Sequence, residues 1–165
     1  MEKVEISGTS KSKKEKTKSP QTLKCIYSNL QSLVNKKKEI ELYLDQNETH
    51  LMFFTEVWLD SSHHASELHI KGFQEPIIQH NSRGGACIYV HNDILFEEFQ
   101  VPHKVSDSVW IKTLTKDGIS RLYGCIYRSP NSQSNNNSIL IENLNWAREN
   151  FPEVVLVGDF DLPQI

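Results

Sequence analysis

The chain has 165 residues, enough for one domain, and its 38% hydrophobic and 24% charged content is that of a globular protein, not a disordered or fibrous one. The formal net charge of −3 is unevenly spread, with a lysine-rich beginning and an acidic body, which excludes indiscriminate attraction of the whole surface to nucleic-acid phosphates. No apolar run is long enough to span a bilayer and residues 1–20 lack the apolar stretch of a secretory signal, so the expected location is intracellular, nuclear or cytoplasmic, with no membrane partner.

In chain order, residues 7–22 hold no large apolar side chain; ordering them would cost backbone entropy with no burial to offset it, and residues 1–22 are assigned to a disordered basic tail. Its run from Lys11 to Lys18 suits a nuclear address, a nucleic-acid arm or plain solvation. Residues 23–27 read as a strand, and Leu33, Val34, Ile40, Tyr43 and Leu44 give residues 33–46 helical spacing. Further strand-length apolar runs cover residues 51–58, 85–90, 109–114 and 122–127. Residues 129–137 read as a loop rich in Asn and Ser, after which Leu140, Leu144 and Ala147 mark an amphipathic helix ended by Pro152. The last strand, 153–157, is apolar enough to predict burial of both faces. Strands outnumber helices without strict alternation, which favours an α/β (α+β) fold of mixed sheets flanked by helices over a doubly wound nucleotide fold. Cys25, Cys87 and Cys125 lie in apolar runs without C-x-x-C spacing and read as buried, reduced thiols.

Five short stretches place polar residues where strands end: Asn29 before Gln31-Ser32-Leu33, Glu56 in Thr55-Glu56-Val57-Trp58-Leu59, the pair Gly84-Gly85 before Ala86, Tyr127-Arg128-Ser129-Pro130, and Gly158-Asp159-Phe160-Asp161. Together they read as a phosphodiesterase site. Magnesium is a hard cation that keeps several waters and takes one or two carboxylates with phosphate oxygens, and a Glu at a strand end suits it. An isolated Glu there is ordinarily just exposed. Asn29 offers an amide that can bridge a metal-bound carboxylate and a phosphate oxygen, or it is a turn residue. Tyr127 can direct its hydroxyl to a phosphate, or simply pack. Arg128 is open between contacting a DNA backbone and orienting its loop. Asp159, after an apolar strand, is poorly explained as structure, because burying an unpartnered carboxylate is costly. His63, His64 and His69 form either a metal group or a solvated cluster.

These five motifs, in this order, resemble the endonuclease domain of non-LTR retrotransposons, a branch of the endonuclease/exonuclease/phosphatase superfamily that includes DNase I and the apurinic endonucleases. Asn29-Leu30-Gln31-Ser32-Leu33 is similar to that family's N-x-(Q/R)-S-L, residues 55–59 to T-E-(T/V)-W-L, residues 84–90 to G-G-(V/A)-x-I-Y-V, residues 127–130 to Y-R-P-P and residues 158–161 to G-D-F-N. The resemblance implies a DNase I-like sandwich of mixed β-sheets flanked by helices, incomplete here, with residues 23–165 covering about the N-terminal two-thirds of the domain. It implies Mg²⁺ as cofactor, with Mn²⁺ as the alternative, and DNA as partner. Glu56 becomes the metal ligand, Arg128 a phosphate contact, and Asn29, Tyr127, Asp159 and Asp161 the catalytic set, with Asp159 aligning the attacking water.

Asp161 stands where the pattern has an Asn that donates to a phosphate oxygen, and an ionised carboxylate cannot donate. It either binds the metal or is protonated beside Asp159 and Glu56. The family's later Asp and Ser-Asp-His ending is not matched, since all seven histidines precede Tyr127. The expected activity is therefore nicking of DNA to leave a 3′-hydroxyl, with an inactive fragment binding nucleic acid weakly through the Lys-rich tail as the alternative. A phosphatase or sphingomyelinase is disfavoured by the T-E-x-W-L and Y-R-x-P forms. An incomplete sheet predicts a monomer if soluble, with aggregation through an unpaired edge.

Overall fold

The computed structural model describes residues 2–7, 22–81, 83–104, 107–114, 118–130 and 134–160. The elements are β1 (Glu2–Ser7), β2 (Thr22–Asn29), α1 (Leu33–Gln46), β3 (Leu51–Thr55), α2 (Ala65–Leu68), β4 (Ile77–Gln79), β5 (Ala86–Val90), β6 (Phe96–Glu98), β7 (Ser108–Leu114), β8 (Ser120–Tyr127), α3 (Ser134–Asn150) and β9 (Glu153–Asp159). They form two mixed sheets, ordered β1-β2-β3-β5-β4 and β6-β7-β8-β9.

The period-two geometry of strands explains how the layers stack. Every residue of β3 and β5 is buried, because both faces of these strands are covered. Leu51, Phe53, Ile88 and Val90 meet Val109, Ile111, Tyr123 and Cys125 of the second sheet, while Met52, Phe54, Cys87 and Tyr89 turn the other way, onto Leu33 and Ile40 of α1 and Leu68 of α2. On the far side Trp110, Leu122 and Ile126 pack against Leu140 and Ala147 of α3. The order is thus helix, sheet, sheet, helix, and each fully buried aliphatic or aromatic side chain contributes about 1.5–3 kcal/mol. The three cysteines are buried, as the sequence predicts. Burial pushes the thiols of Cys25 and Cys125 up to about 12, so thiolate chemistry is closed to them at neutral pH.

Two parallel pairs set the site. β2 and β3 are joined through α1 and β8 and β9 through α3, in registers that pair Asn29 with Thr55 and Tyr127 with Asp159. Both pairs end at the same edge of the sandwich, where β2 touches β9.

Four sequence expectations change. β3 stops at Thr55 instead of reaching Trp58, because Glu56 and Trp58 adopt left-handed backbone with φ of 51° and 50°. α3 begins at Ser134, inside the predicted loop. Its Asn and Ser residues favour loops when isolated, but here Asn137 accepts from Arg128 Nε at 2.8 Å, and tertiary contact overrides propensity. β9, the edge strand of its sheet among the described residues, is not buried on both faces: Val157 is buried against the first sheet's layer but Leu156 is exposed, because no layer fully covers the other face there. Finally, Glu2–Ser7, part of the segment assigned to a disordered tail, pairs antiparallel with β2, Val4 opposite Cys25 and Ile6 opposite Leu23. Val4 and Ile6 alternate with charged residues at the two-residue period of a strand. The tail's Lys11–Lys18 run lies outside the described residues.

Candidate active site

Asn29 is the last residue of β2 and Glu56 follows the last residue of β3, so parallel pairing in register places both at one corner. The two departing loops then interlock: Leu30 N donates to Thr55 O, Ser32 N to Glu56 O and Leu33 N to Val57 O, each at 3.0 Å. Ser32 Oγ accepts from Asn35 N at 3.4 Å and caps α1, so the helix start and the Glu56 loop are fixed by one another.

Asp159 reaches this corner from the other sheet. Its strand partner β8 runs so close at Gly158 that a Cβ there would lie 1.9 Å from Ile126 O, a position only glycine can fill. Asn29 Nδ2 donates to Glu56 Oε1 at 2.6 Å and to Asp159 Oδ2 at 3.1 Å. One neutral amide therefore spends its two hydrogens on two carboxylates from different sheets, and concentrates negative charge at one point. Hard carboxylate oxygens so placed are donors of the kind a divalent cation takes.

The other predicted residues are placed differently. Tyr127 is the register partner of Asp159, and its ring lies against Gly84, where a Cβ would approach Tyr127 Cε1 to 3.1 Å. Gly85 has φ +84°, and a Cβ there would lie 2.6 Å from Gln79 O, so this position requires glycine, while a side chain at Gly84 would crowd the Tyr127 ring. Arg128 is buried; its Nε donates to Asn137 Oδ1 and its backbone N to Asp159 O at 2.8 Å, which places it as a tie between the β8 loop and α3. Asp161 lies outside the described residues. His63 contacts Asp60, and no group of three or more His, Cys, Asp or Glu among the described residues is arranged to hold a metal.

Solved structures share this fold. The 3′ phosphatase NExo from Neisseria, bound to product DNA hairpin, superposes with TM-score 0.60 at 18% identity over 85% of this chain and 58% of its own. The endonuclease domain of TRAS1, a telomere-specific non-LTR retrotransposon, gives 0.59 at 13% identity, covering 85% and 59%. AP endonuclease LMAP from Leishmania major gives 0.61 at 14%, covering 83% and 54%. The fold is DNase I-like. This chain spans less than two-thirds of the length of each of these structures, and the likeness at such identities is one of architecture. No protein-family model matches the sequence, and no curated protein matches it.

Within this DNase I-like frame, one residue escaped the sequence reading. Asp107, with φ 57°, accepts from Asn81 Nδ2 at 2.9 Å and from Gly85 N at 3.0 Å through a single oxygen, while its backbone carbonyl accepts from Tyr127 N at 2.9 Å. It latches the glycine loop of the first sheet to the Tyr127 end of the second. Its only sequence signal is that Asp tolerates left-handed backbone before a strand, which many turn residues share. Among the described residues no helix is long and apolar enough to cross a membrane.

Proposed function

We propose that this chain is a divalent-metal-dependent nuclease that hydrolyses phosphodiester bonds of DNA, nicking it to leave a 3′-hydroxyl. The observation that carries the reading is the Asn29 amide shared between Glu56 and Asp159, contributed by separate sheets of a DNase I-like fold.

The donor set suits magnesium, with manganese as the alternative: hard carboxylate oxygens, few in number, leave room for water and phosphate. Glu56 would hold the ion, which when bound supplies charge neutralisation on the phosphate oxygens. Asn29 orients Glu56 and Asp159 together, so that neither carboxylate rotates away when substrate arrives. Asp159 aligns the attacking water by accepting a hydrogen bond from it. As the water oxygen bonds phosphorus, the bond from phosphorus to the 3′ oxygen breaks. The proton the water releases passes by way of the Asp159 carboxylate to that leaving oxygen, giving the 3′-hydroxyl and a 5′-phosphate, assistance worth about 10²–10⁴ in rate. Tyr127 directs its hydroxyl toward a phosphate oxygen. Arg128, buried on Asn137, keeps the Tyr127 loop in place instead of meeting the phosphate itself. Asp161 cannot donate while ionised, and serves either as a further metal oxygen or as a protonated donor.

The test is nicking of supercoiled plasmid with Mg²⁺. Wild type should convert it to the open circle, EDTA should stop the reaction, and Glu56→Ala should slow it by at least about a hundredfold. The nick should prime a DNA polymerase, as only a 3′-hydroxyl can. Equal nicking by wild type and Glu56→Ala removes Glu56 from the mechanism; DNA binding without any nicking selects the inactive nucleic-acid binder.

A further inference from the structure

Between Val57 and Leu59, both 0% exposed, Trp58 is 39% exposed and belongs to none of the three apolar clusters. Its φ of 50° is a conformation that costs an L-residue about 1–2 kcal/mol and is rare for a bulky one. The strained backbone is held by a hydrogen bond from Trp58 N to Gly84 O at 3.1 Å. Gly84 in turn lies against the Tyr127 ring, and Glu56 is two residues back along the chain. A large apolar side chain is thus turned out of the core on the loop that carries Glu56, where a smaller or polar residue would sit without exposing apolar surface.

We propose that the Trp58 indole is a stacking platform for a nucleobase that has left its helix beside the scissile phosphate, so that the site favours single-stranded or locally unpaired nucleic acid. This rests on the nuclease reading above and names its substrate preference. The chemistry fits the charge of the chain. With a net charge of −3 the protein has little general attraction for phosphate, and a π-face binds any base without needing a positive footprint.

The experiment uses the full chain in EDTA, where no cleavage intervenes, with two probes: a short oligothymidine strand and a blunt duplex. Trp110 is 3% exposed and Trp146 is half-buried and stacks on Phe99 with centroids 5.8 Å apart, so a quench of indole fluorescence by the strand that disappears in Trp58→Phe reports Trp58. Wild type should show that quench and bind the strand, Trp58→Ala should bind it about tenfold more weakly with duplex binding little changed, and Trp58→Phe should keep the affinity but lose the quench. A folded Trp58→Ala protein that binds the strand as wild type does, or saturation of wild type without quenching, overturns the platform and leaves the nuclease reading standing. Failure of wild type to bind the strand also overturns the platform, while the nuclease reading stands or falls on plasmid nicking with Mg²⁺.

Discussion

Glu56 sits in a backbone conformation that costs about 1–3 kcal/mol outside glycine, and that strain is retained because the surrounding loop bonds over-determine it. Asp107 shows the same economy on the opposite sheet, with one carboxylate oxygen holding both Asn81 and Gly85. Asp107→Ala removes both bonds and should lower stability by about 1–3 kcal/mol in urea denaturation. Asp107→Asn keeps an oxygen acceptor and tolerates left-handed backbone, so it should stay within about 0.5 kcal/mol of wild type. Matching stabilities for Ala, Asn and wild type would show that the latch carries no weight. The contrast between Asp107 and Glu56 explains what was legible. Glu56 and Asp159 stand next to apolar runs, where a carboxylate has no packing reason to be, and this marks them in the sequence. Asp107 looks like any turn residue, and only the fold brings Asn81 and Gly85 to it.

At the scale of elements, α1 is readable to its ends from its apolar spacing, whereas the three-residue β4 and β6 are too short for any periodicity and exist through pairing with β5 and β7. Pairing also governs the sandwich end away from the site. There His50 N donates to Lys24 O at 2.8 Å, His50 Nδ1 accepts from Lys24 N at 3.1 Å, and His91 N donates to His50 O at 2.9 Å, tying the start of β2 and β3 to the end of β5. Burial lowers the His50 pKa below its usual 6.5; nearby His91 and Lys24 act in the same direction, Glu48 and Asp93 against it. The bond to Lys24 needs an unprotonated Nδ1. Below pH 6.5 the unfolded chain binds a proton that the folded one resists, so the His50 contribution is whole above 6.5 and is lost as pH falls through the lowered folded value. Melting temperature should therefore drop between pH 7 and 5, with a shallower drop in His50→Gln. Parallel slopes for the two proteins would assign the effect to other groups.

At the scale of the molecule, the second sheet ends, among the described residues, on β9, which pairs with β8. Residues 154–157 are Val-Val-Leu-Val, and Leu156 is 37% exposed. That composition is why the sequence pointed to burial on both faces: apolar content reports affinity for a covering layer, and does not say whether the covering layer is present. Residues 154–157 thus give an apolar stretch with no strand beyond it among the described residues; such an edge is a template for another strand, and proteins commonly block such edges with lysine. The chain should therefore self-associate as its concentration rises, and Leu156→Lys should reduce light scattering at equal concentration. Its melting temperature should change little, because the replaced side chain is exposed and the lysine stem can lie along the same surface. Scattering that is unchanged by Leu156→Lys would move the association to another surface, and a wild type that stays monomeric across the whole concentration range would mean that β9 is blunted by geometry despite its composition.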